Sequence, residues 1–174
     1  DLQWQVNGQA LAVSVDNLHF SNSDARGEAR ASWRTGEGAA RSPGVLDLQG
    51  SLGQADGTRV WRYLPNEVPK EARDYVRNAV LAGTATGTKF RVRGDLREFP
   101  FRDPRTGEFL IEAQVRDATF AYVPRSLQDA PAWPALTQLA GELVFRGAGM
   151  QVKGVHGQVQ GAANLQVAAD ARIP

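Results

Sequence analysis

Strict alternation of apolar and polar residues is the feature that most limits what this chain can become. Leu11, Val13 and Val15 alternate with small or polar neighbours, and Leu46, Leu48 and Leu52 with Asp47, Gln49 and Ser51. Phe90, Val92 and Leu96 alternate with Arg91, Arg93 and Asp95. The pattern recurs at Phe109, Ile111, Ala113 and Val115, at Leu143 and Phe145, at Met150 and Val152, and at Val155, Val159, Ala163, Leu165 and Val167. Successive side chains of a strand point to opposite faces, so each run collects its apolar set on one side. Half-buried strands of this kind belong to antiparallel sheets, because strands of parallel sheets read as continuous apolar runs.

The alternation slips twice. Near Asn17 the apolar set moves to Leu18 and Phe20, and near Asp117 to Ala118, Phe120 and Tyr122. A slip of one residue turns every later side chain to the other face unless a bulge absorbs it, so both points are expected to be bulges in long, coiling strands. The runs at 107–123 and 154–170 would exceed the usual strand length if each is one strand. One helix is expected over about 69–82. Pro69 suits its first turn, Ala72, Tyr75, Val76, Ala79 and Val80 form one apolar stripe, and Gly83 follows as a terminator. A short turn near Trp133-Pro134-Ala135-Leu136 is a second helical candidate, and residues near 53–60 are a candidate sub-boundary.

The search for chemistry is unproductive in an informative way. There is no Cys, which excludes thiolate metal sites, disulfides and a Cys nucleophile. His19 and His156 stand alone, and no H-E-x-x-H, G-x-S-x-G, P-loop or G-x-G-x-x-G motif occurs. The carboxylates are scattered, with no acid/base pair. No catalytic residue, metal site or cofactor is expected, and the chain does not read as an enzyme. Twenty basic residues oppose nineteen acidic ones, so no strong field draws it onto nucleic acid. Lys89, Arg91 and Arg93 share one side of a strand, with Arg97 beyond. A headgroup-phosphate patch and a merely solvated sheet face both fit, and the second is favoured. For Trp133, beside Pro131 and Pro134, a binding platform and a plug at the end of a core both fit, and the plug is favoured. No run approaches the ~18 apolar residues of a membrane helix. Asp1 falls inside a strand pattern with no secretory signal ahead of it, so a fragment of a longer protein is expected.

Three segments in order carry a resemblance. The first is Trp61-Arg62-Tyr63-Leu64-Pro65 with the helix that follows. The second is Phe90 to Phe101, ending in Phe99-Pro100-Phe101 and followed by Gly107-Glu108-Phe109. The third is Ala132-Trp133-Pro134-Ala135-Leu136 with Gly141 to Gly147 and Met150-Gln151-Val152. Together they resemble the periplasmic region of YhdP-type proteins, in the AsmA-like superfamily of Gram-negative bacteria. The resemblance covers residues 60–153 well and the remainder in β character.

That resemblance implies a mainly β fold, a long antiparallel sheet curved into a taco-like groove. It implies a protein anchored in the inner membrane that spans the periplasm. It also implies a role in moving phospholipid toward the outer membrane and in envelope integrity. The partners implied are phospholipid acyl chains and, through parts outside this chain, both membranes. It brings no catalytic motif. The groove-lining candidates are the alternating apolar residues Leu46, Leu48, Phe90, Val92, Phe109, Ile111, Val115, Leu143, Phe145, Met150 and Val152, some of them covered by the helix stripe. The same alternation also builds a closed β-sandwich, which would make the chain a non-enzymatic scaffold or binding module. An envelope hydrolase is the third and least supported reading.

Overall fold

The computed structural model describes residues 1–38, 41–64, 68–128 and 132–174, with Ala163 described by its backbone alone. Nine strands form one sheet: β1 Leu2–Asn7, β2 Ala10–Ser21, β3 Ala25–Arg34, β4 Val45–Asp56, β5 Val80–Asp95, β6 Gly107–Phe120, β7 Leu136–Arg146, β8 Gly149–Val159 and β9 Ala162–Ile173. Their order in the sheet is their order in the chain, and every neighbouring pair is antiparallel. The sheet is open and curled, not a closed barrel. The sandwich alternative is set aside, because all nine strands lie in this single sheet.

Strand length and curl come from bulges. β5 runs for 16 residues and β6 for 14, beyond the usual range. Register shifts interrupt the pairing of β2 at Val15/Leu18 and of β6 at Val115/Ala118, the two places where the alternation slips. Asp117 absorbs the second slip with φ 52. Further shifts occur in β5 at Thr86/Lys89, around Gly87 with φ 57, in β7 between Thr137 and Ala140, and in β8 between Val152 and Val155. Bulges increase local twist, and a series of them across consecutive strands curls the sheet.

Four sequence expectations need correction. The helix, α1, spans Lys70–Ala79 and stops three residues short of 82. Val80 pairs with Phe120 and Ala82 with Thr119, so the ladder captures residues whose helical spacing was equally good. Gly83, with φ 136, lies inside β5, where a Cβ would meet the backbone of Ala118. The run at 154–170 is two strands, turned at Gln160-Gly161, rather than one. The turn at Trp133–Leu136 is not helical: 132–135 are irregular, and the 3-10 turn lies earlier, at Arg125–Leu127. Trp133 is no plug. It is 60% exposed, edge-on to Tyr122 at 5.9 Å, because a single sheet has no closed core end to fill. Pro65 and Pro131 lie outside the described residues. The candidate sub-boundary near 53–60 falls on the end of β4 and the start of a 3-10 turn, Gly57–Tyr63.

The two ends of the strands carry different covers. At the end where β4 leaves and β5 begins, the 3-10 turn and α1 pack together. Arg77 lies over the Trp61 ring at 4.8 Å, Tyr75 meets Phe120 edge-on, and the Ala121 N–H donates to the Ala79 carbonyl at 2.8 Å. The Asp24 carboxylate accepts from Arg62 at 2.8 Å and from the Tyr63 hydroxyl at 3.2 Å, which pins the 3-10 turn to the β2–β3 turn. At the other end, the Phe99-Pro100-Phe101 turn folds back over β5 and β6. Phe101 is 3% exposed and sits where a Cβ on Gly94 or Gly107 would be, at 2.7 and 2.4 Å.

Candidate functional site

Residues directly opposite in adjacent strands project to the same face. One such row runs Leu18, Ala29, Gly50, Phe90, Ile111, Phe145, Met150 and Ile173, crossing eight strands without a polar residue. Three further rows lie on the same face: Trp33 and Leu46; Ala31, Leu48, Val92 and Phe109; and Ala113, Leu143, Val152 and Ala171. Val115, opposite Ala85 and Gly141, continues it. The register thus brings all the apolar candidates to one side. The next row over, His19, Glu28, Ser51, Lys89, Glu112, Val144, Gln151 and Arg172, is polar except for Val144.

The apolar face is not sealed. Each of Leu46, Leu48, Phe90, Val92, Phe109, Ile111, Val115, Leu143, Phe145, Met150 and Val152 is half-buried, neither exposed nor in the interior. The buried hydrophobic residues are mostly alanines: Ala29, Ala79, Ala113, Ala121 and Ala135, with Phe101 and Val144. A second sheet would bury the large side chains to core levels. Here they are shielded by their neighbours within the sheet, and Phe109 by Phe99 as well. The face runs on to β1, where Leu2, Trp4 and Val6 are 60%, 71% and 66% exposed and lie opposite Val15, Val13 and Leu11. The helix reaches Phe120, at the end of β6, through Tyr75. Phe99 covers Phe109, ring centroids 5.1 Å apart.

Several members of this face escape sequence reading. Ala29, Ala31, Gly50 and Gly141 hold row positions yet stand outside the apolar runs that the sequence shows. The small residues let large neighbours lie flat: a Cβ on Gly50 would come within 2.5 Å of the Phe90 ring, and one on Gly141 within 2.5 Å of Val155. Trp33 could have been found, since it continues the period-two series of Ala29 and Ala31. Thr88 is the polar exception, 5% exposed opposite Leu52 with its hydroxyl unpartnered among the described residues.

The polar face is an ion-paired surface. Arg91 reaches Glu108 at 2.9 Å and Asp47 at 3.7 Å, and Arg93 reaches Asp47 at 3.9 Å. Lys153 pairs with Glu142 at 3.7 Å. Lys89 lies opposite Ser51 and Glu112, so the cation row behaves as the solvated sheet face that the sequence favoured. Arg97 folds onto Asp95, whose carboxyl is held down to about 2 by hydrogen bonds from the Arg97 side chain and backbone. Burial works against the Asp24 carboxylate. Hydrogen bonds from Arg62, Ser23 and Tyr63 outweigh it and hold the pKa below the ordinary value. These carboxylates serve ion pairs and turns, an arrangement that holds the fold and offers no acid/base couple. His19 and His156 are both exposed. No described helix is long and apolar enough to cross a membrane.

Comparison with known proteins agrees with this architecture. Residues 1–172 match the family described as YhdP protein. The chain is 30% identical over 151 residues to the intermembrane phospholipid transporter YhdP of Escherichia coli (strain K12), an alignment that covers 86% of this chain and 10% of that protein. The chain therefore spans about a tenth of the length of this curated relative. No solved structure matches.

Proposed function

The chain belongs to the YhdP family, and from that premise we propose that it forms one segment of a hydrophobic groove that carries phospholipid between the inner and outer membranes and so supports outer-membrane integrity. The observation that carries the reading is the unbroken apolar row from Leu18 to Ile173, half-exposed and without a second sheet over it. Acyl chains moving through an aqueous compartment need an apolar lane long enough to stay out of water. Nine strands spaced ~4.8 Å apart give a lane of roughly 40 Å, and exposed apolar side chains on β1 leave it open at that edge. In this reading Leu46, Leu48, Phe90, Val92, Phe109, Ile111, Val115, Leu143, Phe145, Met150 and Val152 touch acyl chains, and the ion-paired face looks to solvent. The protein is non-enzymatic and periplasmic, tethered to the inner membrane by parts outside this chain.

Native mass spectrometry of the purified full-length protein tests it. Diacyl phospholipid should remain bound, and Ile111→Asp should lower its occupancy, because an unpaired charge on an apolar surface is costly to cover with hydrocarbon. A lipid-free protein with an unchanged fold would contradict the proposal and favour a scaffold role.

A further inference from the structure

A hollow of about 430 Å³ lies in the polar face of the sheet, over β6, β7 and β8. The register builds it. Val115 lies opposite Gly141, which sets Arg116 beside Ala140, and Ala140 is opposite His156. Arg116 and His156 therefore stand on one face, two strands and about 10 Å apart at ~4.8 Å per strand, with only the methyl group of Ala140 between them. The neighbouring row on this face is Gln114, Glu142 and Lys153. Lys153 and His156 are three residues apart and would face opposite ways in a regular strand. A bulge in β8 at Gly154, with φ 57, brings them to the same side. All six residues line the hollow.

Its charges are unbalanced. Arg116 is exposed and has no carboxylate within ion-pair distance among the described residues. Lys153 faces Glu142 at 3.7 Å, beyond hydrogen-bond length, and its side chain is 50% exposed. His156 turns Nδ1 toward the Gly154 carbonyl oxygen at 3.3 Å. A carbonyl only accepts, so that nitrogen carries a proton, and Nε2 is left to meet a ligand, as a donor once the ring is charged. The Asp170 carboxylate on β9 is occupied by the Gly154 N–H, which donates to it at 2.6 Å.

We propose that this hollow binds a small carboxylate ligand, with Arg116 as its anchor and His156 and Lys153 as further donors. Arg116 and Lys153 against Glu142 leave one net positive charge, which suits a monoanion. A phosphate dianion would set its second charge against Glu142. A guanidinium presents two parallel N–H donors to the two oxygens of a carboxylate. The volume is in the range of small-molecule sites, so the organic part of the ligand has room over Ala140, where the Gln114 amide can pair with it. The site lies on the face opposite the apolar lane, and it stands whether or not the groove reading does.

The test uses the full-length protein. Diethyl pyrocarbonate acylates exposed imidazoles, and mass spectrometry of the digested protein reads His156 and His19 separately. His19, exposed on β2, is the internal control. The probe is N-acetylalanine, and N-acetylalaninamide has the same shape without the charge. At constant ionic strength the acid should slow acylation of His156 and leave His19 unmoved, and the amide should slow neither. Arg116→Gln should raise the half-protecting concentration roughly threefold, the weight of one exposed ion pair, and Arg116→Lys should keep most of the protection. Glu142→Gln should lower that concentration, because it removes the competing carboxylate and releases Lys153. A purely structural role for these side chains would give no such gain. Equal effects of acid and amide, equal slowing of both histidines, or unchanged protection in Arg116→Gln would overturn the proposal, and so would a Glu142→Gln variant that binds no tighter. Stronger protection by inorganic phosphate than by N-acetylalanine would reassign the hollow to phosphate and overturn it as well.

Discussion

Replacing Phe101 probes how the Phe99-Pro100-Phe101 turn covers the end of β5 and β6. The ring is 3% exposed, packs edge-on against Phe99 at 5.9 Å, and fills the space over Gly94 and Gly107. Truncation of a buried Phe costs about 3–5 kcal/mol through lost transfer energy and the cavity left behind. For a chain of this length each kcal/mol shifts the midpoint by roughly 2–4 °C, so Phe101→Ala should melt about 6–20 °C lower. The backbone adds a second, sharper expectation. Phe101 has φ 60, a left-handed conformation that costs a residue with a Cβ about 1 kcal/mol or more and glycine almost nothing. Phe101→Gly should therefore be more stable than Phe101→Ala, the reverse of the order at ordinary positions. Thermal unfolding of the purified chain, followed by circular dichroism, reads both. An Ala variant as stable as the wild type would show that the ring is not buried, and an Ala variant more stable than the Gly variant would refute the left-handed turn.

Three further outcomes are expected. Asp24→Asn should weaken the link to Arg62 and Tyr63 at neutral pH. Because the folded pKa of Asp24 lies below 3.8, its contribution is fully present above that value and disappears as pH falls through the folded pKa. The stability gap between Asp24→Asn and wild type, measured by melts at pH 6 and pH 3, should narrow at the lower pH, and a constant gap would remove the carboxylate from the account. Far-UV circular dichroism should be dominated by strand, since α1 has only ten residues, and a helix content above about a third would contradict the single sheet. Gly50→Ala should destabilise the fold, because its Cβ would come within 2.3 Å of the Glu28 carbonyl and 2.5 Å of the Phe90 ring. A melting midpoint at or above that of wild type would show that the sheet has room there.

Much of this architecture is legible in the residues, and the failures have physical causes. Period-two alternation identifies the strands, and its slips near Asn17 and Asp117 mark bulges, because only an extra residue keeps Leu18 and Phe120 in step with the rest. Whether the strands make one sheet or two is not legible. A sandwich core and an open apolar face need the same alternation, and only the pairing order and the half-exposure of Phe90 or Ile111 separate them. Val80 to Ala82 fit helix and strand equally, and the ladder with Phe120 decides. Trp133 is misread because burial is the usual fate of Trp, whereas a single sheet gives it nothing to enter. Ala29, Ala31, Gly50 and Gly141 fall outside the apolar runs of the sequence, and the register reveals them as members of the face. The pairing of Arg91 with Glu108, and the lack of such a partner for Arg116 among the described residues, likewise depend on which strands lie side by side.

The most direct test of the central claim is to ask in living cells which face meets lipid. A photo-crosslinking amino acid is placed singly in the full-length protein at Phe90, Ile111, Leu143 or Val152, and at Arg91, Gln114 or Gln151 for comparison. Each variant is first shown to accumulate as the wild type does. The groove account expects phospholipid adducts from the apolar-face positions and none from the comparison set. Equal labelling of both sets, or none from either, would contradict it.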